Sequence, residues 1–131
     1  MESRSVILLV EGDLEIRHPL AEYLRGCGFK VYEASTGDEA RLALQSDRHR
    51  PDIVLIDMAT EGGGFSLSHW IRENYVDIEI VMAGTADRSV DQAERLCNDS
   101  AGVSKPYEHE LVLQHIRQML SRRQSKDAET G

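Results

Sequence analysis

Five short apolar runs punctuate the chain, at Val6–Val10, Val31–Ala34, Ile53–Ile56, Ile78–Ala83 and Ala101–Val103. The segments between and after them carry apolar residues at helical spacing. The stripes are Ile16, Leu20, Tyr23, Leu24 and Cys27; then Ala40, Ala43 and Leu44; then Leu67, Trp70 and Ile71; then Val90, Ala93 and Cys97; and last Val112, Ile116, Met119 and Leu120. The pattern predicts five repeats of strand then helix. Runs such as Val6-Ile7-Leu8-Leu9-Val10 and Ile53-Val54-Leu55-Ile56 are apolar on both alternating faces, as strands of a parallel sheet covered on both sides must be. The predicted class is therefore a doubly wound α/β fold.

Local punctuation agrees. Gly26 and Gly28 close the first helical stripe, which Pro19 interrupts by removing one amide donor, so a tolerated kink is expected there. The last stretch, 121–131, is polar and of mixed charge without apolar periodicity. It is expected to fray as a flexible tail behind a domain spanning 1–120.

With 131 residues the chain suits one domain, and 40% apolar with 29% charged residues is ordinary for a globular protein. Fifteen basic residues against 23 acidic ones leave a net charge of −8, which gives no general attraction to nucleic acid or anionic lipid. The two cysteines, Cys27 and Cys97, lie far apart in apolar patterns and read as reduced thiols. The start, Met1-Glu2-Ser3-Arg4-Ser5, leads into an apolar run too short for a signal peptide or a span, so a cytoplasmic protein is expected. His18, His49, His69, His109 and His115 show no pair at three or four residues' spacing and so no helical zinc site.

In an open parallel sheet, chemistry gathers beyond the carboxyl ends of the strands. Glu11, Gly12 and Asp13 follow the first run, Asp57 ends the third, Thr85 follows the fourth, and Ser104-Lys105-Pro106-Tyr107 follow the fifth. Three acids and a lysine would converge. Asp13 is also a good N-cap for a helix starting at Leu14, so capping and metal binding stand level for it. Gly62 to Gly64 make the loop beside Asp57 flexible but lack the spacing of a nucleotide-binding loop.

Val10-Glu11-Gly12-Asp13, Asp52-Ile53-Val54-Leu55-Ile56-Asp57 and Lys105-Pro106-Tyr107 together resemble the receiver domain of bacterial two-component response regulators. The resemblance spans about Ser5 to Leu120. It implies a flavodoxin-like sheet of five parallel strands in order 2-1-3-4-5 with five helices, and Asp57 as acceptor of a phosphoryl group from a histidine kinase or histidine phosphotransfer protein. It further implies Mg2+ held by Glu11, Asp13, Asp57 and the backbone carbonyl of Ala59, with Lys105 neutralising the phosphoryl oxygens and a cis bond before Pro106. An anionic carboxylate attacking an anionic phosphoryl donor needs such cations between them.

The sequence departs from the family at several places. Gly12 stands where a second acid is usual, Ala83 where a switch Ser or Thr is usual, and Gly102 where the coupled aromatic is usual. The expectation is a stand-alone receiver, not an enzyme, that signals through a downstream protein bound at about 87–120, the fourth helix, fifth strand and fifth helix of the family. Neither nucleic acid nor membrane is an expected partner. The alternative is a degenerate pseudo-receiver acting as a phosphorylation-independent interaction module. An enzyme, either a small phosphatase or a nucleotide-dependent α/β protein, is a third, weaker reading, since acyl-phosphate chemistry at aspartate recurs among folds.

Overall fold

The computed structural model describes residues 5–46, 50–60, 62–85, 103–105 and 108–130. Its elements are β1 (Val6–Val10), α1 (Leu14–Gly26), β2 (Lys30–Ala34), α2 (Gly37–Gln45), β3 (Ile53–Asp57), α3 (Gly64–Asn74), β4 (Glu79–Thr85), β5 (Val103–Lys105) and α4 (His109–Thr130). The strands form one parallel sheet in the order β2-β1-β3-β4-β5. The segment expected to supply a further helix, with Val90, Ala93 and Cys97, lies outside the described residues, as do Gly102, Pro106 and Tyr107.

Alternation along the central strands splits the core into two. Ile7, Leu9, Ile53 and Leu55 face one side, where Leu20, Ala21 and Leu24 of α1 and Val112, Leu113 and Ile116 of α4 cover them. Leu8, Val10, Val54 and Ile56 face the other, against Ala40 and Leu44 of α2 and Leu67 and Ile71 of α3. Both faces of β1 and β3 are thus dry, which is why their sequences are apolar throughout rather than alternating.

Helix ends follow local chemistry. The Asp13 carboxylate accepts from the Glu15 amide at 2.9 Å and caps α1. Thr36 caps α2 by accepting from Glu39 N–H at 3.1 Å, while the Glu39 carboxylate reaches back to the amide and hydroxyl of Ser35. One strand end and one helix end differ from the expectation. The apolar run ending at Ala83 continues as strand to Thr85, because Gly84 and Thr85 pair with Ser104 and Lys105. The residues from Ser121, expected to fray, are helical in backbone to Thr130. No glycine or proline falls between His109 and Thr130, and Arg, Gln, Lys, Ala and Glu are good helix formers even where no apolar face guides them.

Candidate functional site

Polar side chains are rarely buried, so those that are mark the site. Among the described residues Glu11 (2% exposed), Asp57 (5%) and Thr60 (5%) are buried at or just past the carboxyl ends of β1 and β3, while the fourth buried polar side chain, Ser68, sits within α3 and donates to the Phe65 carbonyl of its own helix. Val10 pairs with Ile56, so Glu11 and Asp57, each the next residue on neighbouring strands, leave the sheet side by side.

The backbone around Asp57 is fixed from both directions. Met58 N–H donates to the Ala83 carbonyl at 2.8 Å, extending the ladder in which Asp57 pairs with Ala83. Thr60 N–H donates to the Asp57 carbonyl at 2.9 Å, and Ala59 N–H to the Asp57 carboxylate at 3.2 Å. The turn then runs through Gly62 and Gly63, both at positive φ (93° and 86°), into α3. A Cβ on Gly64 would lie 2.8 Å from Met58 Cα and 2.9 Å from the Asp57 carbonyl oxygen. The three glycines therefore serve a tight turn that seats the start of α3 against the backbone of Asp57. The Thr60 hydroxyl is buried without a hydrogen-bond partner among the described residues.

On the other side, Glu11 N–H donates to Ala34 O at 3.0 Å, and its carboxylate accepts from Asp13 N–H at 3.1 Å. The Glu11 carbonyl accepts from Arg17 Nη1 at 2.7 Å, while Arg17 Nε donates to Glu33 Oε1 at 3.0 Å. Arg25 and His18 hold the other oxygen of Glu33 at 3.2 and 3.3 Å. Burial opposes ionisation of Glu33, but the hydrogen bonds from Arg17, His18 and Arg25 outweigh it and hold its carboxyl below the usual glutamate range.

The expected site residues thus fall as follows. Glu11 and Asp57 are brought together. Asp13 adjoins them in the same loop, but its carboxylate is the α1 cap. Among the described residues no three His, Cys, Asp or Glu side chains gather into a metal-binding group. Two carboxylates and the Ala59 carbonyl still suit Mg2+, which keeps most of its waters and takes one or two carboxylates rather than a full protein cage. Lys105 ends β5, opposite Thr85 on β4, at the same edge of the sheet; its side chain lies outside the described residues. Ala83 is fully buried beside Asp57 and brings no hydroxyl. Gly12 brings no carboxylate. Arg17, Glu33 and Thr60 were not anticipated: an arginine one turn into a helix and a glutamate on an edge strand carry no motif, and their partners are set by the α1–β2 packing.

Comparisons with known proteins agree with this architecture. The family model for the response regulator receiver domain matches residues 7–117. The transcriptional regulatory protein GltR of Pseudomonas aeruginosa is 34% identical over 132 residues, covering 95% of this chain and 52% of its own length. The virulence transcriptional regulatory protein PhoP of Shigella flexneri is 32% identical over 121 residues, covering 88% of this chain and 52% of its own. The chain therefore spans about half the length of these curated relatives. Among solved structures, a CheY-like response regulator receiver domain protein from Methanospirillum hungatei superposes with a TM-score of 0.81 at 20% identity, covering 95% of this chain and 99% of the other. NtrX from Brucella abortus does so with a TM-score of 0.83 at 20% identity, covering 98% of this chain and 29% of NtrX. Strand order, the paired acids at the sheet's edge and the match along nearly the whole chain converge on one assignment: this chain belongs to the response regulator receiver domain family.

Proposed function

We propose that this receiver domain, residues 1–120 followed by a polar extension at 121–131, accepts a phosphoryl group on the Asp57 carboxylate from a histidine kinase or a histidine phosphotransfer protein. In that step an Asp57 oxygen forms the new O–P bond as the P–N bond to the donor imidazole breaks, and the imidazole leaves to be protonated by solvent. Bound Mg2+ would supply the positive charge that lets two anions approach. Glu11, Asp57 and the Ala59 carbonyl would hold it, with Asp13 engaged as a cap. Lys105 would neutralise the phosphoryl oxygens from the β5 edge. The observation that carries the reading is the burial of Asp57 at the end of β3 with Glu11 beside it.

We further propose that the domain is a signalling module rather than an enzyme, works in the cytoplasm, and passes its state on by protein contact through about 87–120. In a stand-alone receiver that contact is with a separate downstream protein. The names of the curated relatives carry transcriptional regulation, a property of proteins about twice this length. No described helix is long and apolar enough to cross a membrane. A second reading, a pseudo-receiver that acts without phosphoryl chemistry, is favoured by Gly12 and by Ala83 and Gly102 at the switch positions.

Incubation with acetyl phosphate and Mg2+, followed by intact mass, separates the two. One added phosphoryl group on the wild type and none on Asp57→Asn supports acceptance at Asp57. An unmodified wild type under conditions that load an ordinary receiver leaves the pseudo-receiver reading.

A further inference from the structure

The acid pair usual after the first strand is reduced here to Glu11, so the placing of that one carboxylate matters more than usual. Both backbone polar groups of Glu11 are tied. Its N–H is held by the β2 carbonyl of Ala34, and its carbonyl by the guanidinium of Arg17 at 2.7 Å. Arg17 comes from α1, reaches across the loop, and is itself held by Glu33 at 3.0 Å with both side chains largely buried (13% and 18% exposed). Arg25 fixes Glu33 from its far side and also donates to the Val31 carbonyl at 2.8 Å.

We propose that Arg17 is a positioning residue for the acidic pocket, using its Glu33-anchored guanidinium to fix the Glu11 carbonyl and so aim the Glu11 carboxylate at a divalent cation. This rests on the metal-binding reading above. Glu33 has two parts in it. It holds the guanidinium plane so that one nitrogen donates to each partner, the fork geometry that lysine lacks. It also neutralises a cation that would otherwise repel Mg2+ from the same loop.

The test is titration with Mg2+ alone, by calorimetry, well below the melting temperature, together with amide hydrogen exchange of the metal-free protein. Arg17→Gln is expected to weaken Mg2+ binding at least five-fold and to speed exchange of the Asp13 amide, which the Glu11 carboxylate now accepts. Glu33→Gln should act in the same direction, and the double variant should be no worse than Arg17→Gln alone. Arg17→Lys, which keeps the charge but must choose between carbonyl and carboxylate, should fold and still bind Mg2+ more weakly, and it replaces Arg17→Gln if that variant does not fold. Arg50→Gln breaks a distant ion pair with Asp77 and controls for general destabilisation; its Mg2+ affinity should not move.

Arg17 variants with wild-type Mg2+ affinity and unchanged Asp13 exchange overturn the proposal. A wild type that binds no Mg2+ refutes the metal reading instead. The placing of Glu11 by Arg17 is then decided by the exchange result, where unchanged Asp13 protection overturns it.

Discussion

Gly12→Asp puts back the carboxylate that the first loop lacks, and the structure says the fold will accept it. A Cβ at Gly12 would meet the Ser35 carbonyl oxygen at 3.5 Å, an ordinary contact, and Gly12 is not among the glycines at positive φ. A unit charge about 4 Å from another at an effective dielectric of about 20 is worth about 4 kcal/mol, and about twice that against a divalent ion. Displacing bound water and desolvating the new carboxylate cancel most of this, leaving about 1.4–2.8 kcal/mol, or roughly 10–100-fold in Mg2+ affinity. Without metal the same charge is a third acid beside Glu11 and Asp57. At about 5–6 Å the repulsion from each is at most about 3 kcal/mol before screening. A net loss of about 1 kcal/mol, some 3–5 °C in Tm, is expected once solvent screening is included. The signature is therefore a crossing: Gly12→Asp melts below wild type in chelator and at or above it in excess Mg2+. Differential scanning fluorimetry across a Mg2+ series reads both limbs. A variant that folds, melts as wild type in chelator and binds Mg2+ no more tightly would show that no cation site lies at the end of β1.

Four further outcomes follow from the same geometry. Gly64→Ala should cost about 1–3 kcal/mol, because the new methyl meets backbone at 2.8 and 2.9 Å, whereas Gly26→Ala near the end of α1, with nothing within 4 Å, should gain about 0.5–1 kcal/mol; chemical denaturation compares them. Thr60→Val removes a buried hydroxyl that has no partner among the described residues and should stabilise by about 1 kcal/mol, a raised urea midpoint being the check. Ala83→Ser should enlarge the amide shifts of residues 87–120 on phosphorylation without speeding the uptake of phosphoryl from acetyl phosphate. Burial, and then the nearby Arg122 charge, lower the His115 pKa, so its neutral form is favoured in the fold. Its contribution is complete above the ordinary histidine value near 6.5 and is lost as pH falls below it, and His115→Gln should flatten the stability profile in that window.

The sequence was most legible where one physical cause acts alone. Runs such as Ile53 to Ile56 are apolar because both sheet faces are covered, and the split of Ile53 and Leu55 from Val54 and Ile56 into two core clusters is that pattern made spatial. Asp13 as helix cap was legible for the same reason, since a short acceptor before a helical stripe has a local purpose. Strand ends were not: Gly84 and Thr85 continue the ladder through backbone bonds that no hydropathy pattern records. The glycine loop was read as freedom, yet Gly64 is demanded by a contact with Met58 and Asp57 that exists only once α3 has packed. The Arg17–Glu33 pair was invisible because it joins a helix face to an edge strand, and neither residue breaks the pattern of its own element.

The site separates what backbone supplies from what side chains supply. The Ala59 amide that donates to the Asp57 carboxylate and the Met58 to Ala83 ladder bond come from the main chain and do not depend on the side chains at 58, 59 and 83, whereas the close seating of Gly64 on Asp57 requires glycine there. The departures at Gly12, Ala83 and Gly102 remove side-chain groups. Loss of a carboxylate weakens cation binding in proportion to the charge removed, and Mg2+ can take water in its place. Loss of the hydroxyl at Ala83 is different in kind, because a hydrogen bond that would form only after phosphorylation is what would favour a second conformation, and a group absent from both states biases neither. On the proposed function, acceptance of a phosphoryl group and response to it would therefore rest on different atoms, and the departures would bear harder on response than on acceptance.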